Sequence, residues 1–409
     1  MSAVSTPRPG APGERAGFAA VGYDEALARA RALVPALRER AARAEDARTL
    51  LPETEAELHR TGLFRITQPK RWGGMELDFV SMLDVPAELA RACASTSWIV
   101  GNITIHHWML ALYDPRAQEE IWGADPDVQI ASGIAYLQGR ARKVDGGFVV
   151  SGHWNFSSGV DRADWNMLAA TVRDGDKVVD HRMCLMPRAE FEVIDDWQVL
   201  GMRGTCSKSV RATDVFVPEH RALCTYTIRG GADFPGARAN PNPLYQVPLA
   251  MMSSHPIVAA AIGNAQGALE LTCEAVKGRS TSYTGASMRD FQAVQLRVGA
   301  AGARIDAART LARSDCLKAQ EWAARGYIPT VEEKLAIKRN AAYEVTLCTE
   351  AVDLLHAMAG ANGIYDTYPI QRIFRDQHAL AGHFGFSFDV HGSNWGLVAL
   401  GGSYSLPTL

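Results

Sequence analysis

The hydrophobic pattern of this chain changes period twice, and that double change limits its possible folds more than any single motif. From Tyr23 to about Gly123 the apolar residues recur at helical spacing. From Asp127 to about Asp233 they alternate or run in β-branched blocks broken by turn residues, and from Pro248 onward helical spacing returns. Side chains repeat about every 3.6 residues on a helix and every two on a strand, so no segment serves both patterns. The stretch Ala26 to Ala44 is rich in the strong helix formers alanine and arginine, and Glu55 to Gly62 shows helical spacing that stops at a glycine. Pro69 to Gly74 has loop composition. In the middle region Gly147–Trp154 and Ser209–Val217 are predicted strands. The alanine-rich Val294–Leu317 is a predicted long packed helix. The chain is therefore expected to be an α+β protein: a lead-in over 1–17, a helical domain over 18–126, a β domain over 127–235 and a helical region over 236–409.

Composition excludes several classes. Hydrophobic residues make up 47% and charged residues 21%, as in ordinary globular chains. A net charge of −3 offers no broad attraction to nucleic acid or an anionic membrane, and no apolar run is long enough to span a bilayer. The Pro-, Gly-, Ala- and Arg-rich start lacks the apolar core of a signal peptide and is expected to be disordered. Seven scattered cysteines, with neither C-x-x-C nor zinc spacing, fit a reducing cytoplasm, and no metal site is expected. Dinucleotide, Walker, H-E-x-x-H and nucleophile-elbow motifs are all missing.

The segment Gly360-Ala361-Asn362-Gly363-Ile364-Tyr365-Asp366-Thr367-Tyr368-Pro369, followed by Arg375-Asp376, resembles the C-terminal signature of the acyl-CoA dehydrogenases. Gly62-Leu63-Phe64 with Trp72-Gly73-Gly74, and Gly201-Met202-Arg203-Gly204-Thr205 with Asp214 to Pro218, resemble other landmarks of that family in the right order. The resemblance covers nearly everything after Tyr23. It implies a helical domain, a β-barrel or sandwich domain and a C-terminal four-helix bundle, assembled as a homotetramer. The family's catalytic glutamate, which precedes Tyr-Pro, is replaced by Thr367. A threonine hydroxyl is far too weak a base to take a carbon-bound proton near neutral pH. The alternative position of that base on an earlier helix aligns with His255, again not a glutamate. The scaffold implies flavin, while the substitution argues against dehydrogenation.

Three pieces are similar to one branch of the fold, the oxygenase components of two-component flavin-dependent monooxygenases. They are His106-His107-Trp108 to Tyr113, the turn Gly152-His153-Trp154-Asn155-Phe156-Ser157-Ser158-Gly159, and His383 after Arg375-Asp376. The resemblance implies hydroxylation of a phenolic or polycyclic aromatic substrate through a C4a-hydroperoxyflavin. Reduced FMN or FAD would come from a separate NAD(P)H:flavin reductase, and O2 is the co-substrate. Ser158, with Ser157 second, is the expected hydrogen-bond partner of flavin N5. His383 is the expected base that makes the substrate phenolate-like, with His106 placing its oxygen. Trp154 is expected to pack on the isoalloxazine beside Phe156. Arg279 and Gln292 are expected toward the phosphate end, although Thr281 stands where the dehydrogenases carry their diphosphate arginine, which favours FMN. Other readings remain: N-oxygenation of an amine or amino sugar, S-oxygenation of a thiophene, or an acyl-CoA dehydrogenase using Asp366. His255, His356, His378 and His391 are expected to be structural, with His255 and His391 also placed to line a pocket. Cys206 has no adjacent histidine and is expected to be a packed residue rather than a nucleophile.

Overall fold

A computed structural model describes residues 17–409, so the expected lead-in lies, but for Gly17, outside the described residues. The first region holds α1 (Tyr23–Ala47), α2 (Pro52–Thr61), α3 (Ser81–Ala90), α4 (Ala94–Leu110) and the short α5 (Pro115–Gln118). Helix α1 buries Ala26, Ala30, Leu33, Leu37, Ala41 and Ala44, a stripe at three- and four-residue spacing. Pro52 at the first turn starts α2, and Gly62 at φ 75° ends it, as the stop signal requires. Helix α4 is apolar all round and buried along nearly its whole length, so it forms the centre of this region. Pro69 to Gly74, read as a loop, contains a single 3-10 turn at Lys70–Trp72.

The middle region is one mixed sheet built from β1 (Ile130–Gly133), β2 (Gly139–Val144), β3 (Gly147–Ser157), β4 (Trp165–Asp174), β5 (Lys177–Pro187), β6 (Glu192–Ile194), β7 (Lys208–Pro218) and β8 (Ala222–Cys224). The strand order is β6-β7-β3-β2-β4-β5-β8, with β1 parallel to β4. The two predicted strands fall within β3 and β7, which pair antiparallel with a bulge between Trp154 and Ser157. The third region holds α6 (Leu249–Met252), α7 (His255–Lys277), α8 (Gln292–Ala324), α9 (Val331–Ala359), α10 (Ile370–Ala381) and α11 (Phe388–Ala399). Helix α8 outruns the predicted Val294–Leu317 at both ends, because neither flank carries a proline or glycine stop until Gly326. A complete capping box, Thr330 with Glu333, opens α9. Among the described residues no helix is long and apolar enough to cross a membrane.

One clasp fixes the sheet region on the bundle. A Cβ at Gly201 would lie 2.3 Å from the Arg375 carbonyl oxygen, so only glycine lets that loop seat against α10. The next residue, Met202, sits at φ 55° and donates its N–H to Asp376 Oδ1 at 2.6 Å. Arg375 donates to the Leu200 carbonyl at 2.8 Å and pairs with Glu45 of α1. The Gly201 motif and the Arg375-Asp376 pair, far apart in sequence, are thus two halves of one contact. That contact aims the following residues, Thr205 and Ser207, at the end of β3.

Candidate active site

The β3 strand ends in the turn Ser157-Ser158-Gly159, with Gly159 at φ 77°. This turn is held from below and from the side. Gly159 N–H donates to the Thr205 carbonyl at 2.9 Å, and Asn166 of β4 donates to Ser157 Oγ at 2.9 Å. Ser157 is fully buried and serves the turn, so its hydroxyl is not presented to a ligand. Ser158 points the other way. Its Oγ accepts the indole N–H of Trp98 at 3.0 Å and lies 2.8 Å from Ser207 Oγ, which in turn lies 2.7 Å from Thr205 Oγ1.

The same Trp98 ring meets His383 edge-on, with centroids 5.4 Å apart, and Phe386 at 6.4 Å. Trp98 therefore joins Ser158 of the sheet to His383 of the bundle, residues that sequence alone left unconnected. His383 Nδ1 accepts the Gly385 N–H at 3.2 Å. That bond leaves the ring proton on Nε2, so the neutral imidazole offers a donor outward. Burial, with smaller contributions from Lys338 and His391, pushes His383 down to about 4. The ring is neutral near pH 7, but its lone pair is engaged. Where a base was expected, the ring thus presents a hydrogen-bond donor, Nε2–H.

His106 lies on α4 two turns beyond Trp98. Its Nδ1 is 2.5 Å from the Ile130 carbonyl, which fixes the proton on Nδ1 and leaves the Nε2 lone pair as an acceptor. Burial pushes it to about 4. Ile130 and Ala131 of β1 pair with Trp165 and Asn166 of β4, and Asn166 holds Ser157. His106 and the Ser158 turn thus hang from the same corner of the sheet. His107 is instead stacked on Trp122 and accepts its indole N–H at 3.0 Å, a core role.

Trp154 is placed differently from the expectation. Its ring is fully buried in the sheet's own core, its N–H donates to the Ala169 carbonyl at 2.7 Å, and Gly133, Gly139 and Gly152 make room for it. A Cβ at Gly139 or Gly152 would come within 2.5 Å of the indole. Enclosed in this way, Trp154 has no face to give a flavin. Two residues on, at the bulge, Phe156 stands at φ 65°, 69% exposed as a residue, with its ring edge-on to Trp197. Phe384, beside His383, is also exposed. Arg279 donates to the Met358 and Ala359 carbonyls at 3.3 Å, closing the end of α9, and Gln292 is exposed at the start of α8. Neither makes a hydrogen bond with the Ser158–Trp98–His383 group.

No carboxylate joins that group among the described residues. Thr367 and Asp366 are exposed in a turn, Asp376 is committed to Met202, and His255 is enclosed in the bundle. What remains is a set of hydroxyls and a neutral imidazole beside exposed aromatic rings. Such a donor set fits a flat ring system edged with nitrogen and oxygen, such as a flavin.

Comparison with known proteins agrees. Residues 25–124 match the acyl-CoA dehydrogenase N-terminal domain family and residues 256–388 match the C-terminal domain family. The chain is 35% identical over 349 residues to the flavin-dependent monooxygenase oxygenase subunit HsaA of Rhodococcus jostii, covering 85% of this chain and 91% of that protein. It is 32% identical to the oxygenase component of an FADH2-dependent resorcinol hydroxylase from a Rhizobium species, covering 89% and 91%. Its fold superimposes on the crystal structure of a 3-HSA hydroxylase from Rhodococcus with a TM-score of 0.89, at 32% identity over 95% of this chain and 100% of that one.

Proposed function

This chain belongs to the flavin-dependent monooxygenases built on the acyl-CoA dehydrogenase fold, and on that footing we propose that it is the oxygenase component of a two-component system hydroxylating a phenolic ring. The observation that carries the reading is the convergence of Ser158 and His383 on Trp98, with no carboxylate base beside them. A bound reduced flavin supplies the activation of O2 for transfer of one oxygen atom. The chain's own residues supply the rest. Ser158 would hold the flavin's ring edge, because its hydroxyl already accepts from Trp98 and keeps its own proton to share with Ser207 or a ligand. Phe156 would cover a ring face.

Proton handling follows from the two tautomers. His106 Nε2, an acceptor, takes a hydrogen bond from the phenol O–H, raising electron density on the ring. His383 Nε2–H donates to oxygen that gains negative charge. Each such contribution is typically worth about 10²–10³-fold in rate. Reduced FMN or FAD would be delivered by a separate NAD(P)H:flavin reductase, as the relatives' description as oxygenase components suggests. A homotetramer accords with the apolar side chains left exposed on and before α8, namely Tyr283, Phe291 and Leu296.

The test is turnover of a phenol panel with reduced FMN or FAD regenerated by a flavin reductase under 18O2. One labelled oxygen atom in a ring-hydroxylated product is the expected result. If every phenol is recovered unchanged with both flavins while H2O2 accounts for all flavin oxidised, the reading fails.

A further inference from the structure

Deep in the helical region, away from the Ser158–His383 group, three helices bring three metal-ligating side chains together. His255 opens α7, Asp315 lies on α8 and Glu344 on α9, and one ligating atom from each lies within 4.8 Å of the other two. His255 Nε2 is 3.9 Å from Asp315 Oδ2 and 3.9 Å from Glu344 Oε2. His255 and Glu344 have no exposed surface, and Asp315 is 6% exposed.

The hydrogen bonding of this cluster does not close. His255 Nδ1 faces the Met251 carbonyl at 3.4 Å, so the proton belongs on Nδ1 and the Nε2 lone pair points at two carboxylates. His255 Nε2 and both Glu344 oxygens have no hydrogen-bond partner. Asp315 Oδ2 accepts only from Asn340, at 2.9 Å, and Asn340 is itself held by Arg339. No lysine or arginine forms an ion pair with Asp315 or Glu344 among the described residues, although Lys338 acts electrostatically on His255. Ionised together, three acceptors facing one another in a dry interior are costly unless a cation or a proton stands between them.

We propose that His255, Asp315 and Glu344 bind one first-row divalent transition-metal ion that pins α7, α8 and α9 together. Spacings of 3.9 Å from the imidazole to each carboxylate place a common centre no more than about 2.5 Å from all three atoms, so rotamer adjustments of about 0.4 Å reach normal ligand distances. A ligating imidazole whose other nitrogen faces a backbone carbonyl is the usual orientation at such sites. An imidazole among the ligands favours a transition metal over magnesium or calcium.

The experiment is metal analysis of the purified full-length protein, before and after loading with Zn2+, Mn2+ or Co2+ and desalting. About one ion per chain is expected in the wild type, and less than a tenth of that in Glu344→Gln, which keeps the side chain's shape. Co2+ loading of the wild type should give visible d–d absorption, and chelation should lower its melting temperature by several degrees. If the wild type retains no metal after loading and chelation leaves its melting unchanged, the cluster is closed by protons or water and the proposal is wrong. Full occupancy in Glu344→Gln would place the ion elsewhere and overturn it equally.

Discussion

Replacing Asp376 by asparagine should stabilise the protein at neutral pH, although Asp376 belongs to a family signature. Its carboxyl is 6% exposed and accepts the Met202 N–H at 2.6 Å. Burial raises it from 3.8 to about 6, against the opposing pull of the Met202 N–H and Arg372. A carboxyl whose folded pKa exceeds its unfolded value favours the folded state when protonated. Its contribution is full below pH 3.8 and is lost as pH climbs through about 6. At about 1.4 kcal/mol per pK unit, the loss across that window is about 3 kcal/mol. Asparagine keeps an oxygen for the Met202 N–H and never ionises. In urea unfolding, Asp376→Asn should therefore gain up to about 3 kcal/mol over the wild type at pH 7.5, with the gap closing toward pH 4. Asp376→Leu, which strands the Met202 N–H, should cost about 1–3 kcal/mol at any pH. An asparagine variant less stable than the wild type at pH 7.5 would show that the ionised carboxylate is held by its arginines more than burial opposes it, and would refute the reasoning.

Ser158→Ala removes the acceptor for Trp98 N–H and the partner of Ser207; it should cost about 1–3 kcal/mol and shift flavin oxidation from product toward H2O2, with Ser158→Thr restoring coupling. If His383 acts as a donor, His383→Gln, which still carries an N–H, should keep activity within about tenfold while His383→Ala loses about 10²–10³-fold; equal losses would return the base role to His383. Trp154→Phe should destabilise by about 1–3 kcal/mol through the stranded Ala169 carbonyl yet leave flavin affinity unchanged, and a weakened flavin Kd would place Trp154 at the cofactor after all.

The two changes of hydrophobic period separated helical from strand segments, because helices and strands bury different side-chain spacings. The Gly62 stop and the strands around Gly147 and Ser209 were legible for the same local reason. The placement of Trp154 was not. Alternation predicts only that every second residue faces inward, and the Trp154–Ser157 bulge resets that count so that Phe156, not Trp154, is exposed. The tautomers of His106 and His383 depend on one carbonyl and one amide, from Ile130 and Gly385, which no side-chain pattern encodes. Trp98 escaped notice because a tryptophan in an apolar helix reads as core; only its N–H on Ser158 distinguishes it. The His255, Asp315 and Glu344 cluster draws one residue from each of three helices, so no spacing motif announces it.

Trp98 spends its indole N–H on the sheet and its ring edge on the bundle. Two domains that could drift apart over evolutionary time are thereby made to answer to one side chain. A substitution that tunes the hydroxyl disturbs the imidazole, and the reverse holds as well. Change within this scaffold is then easiest at positions that touch none of Trp98, Ser158 and His383, so that the corner they share stays fixed while its surroundings vary.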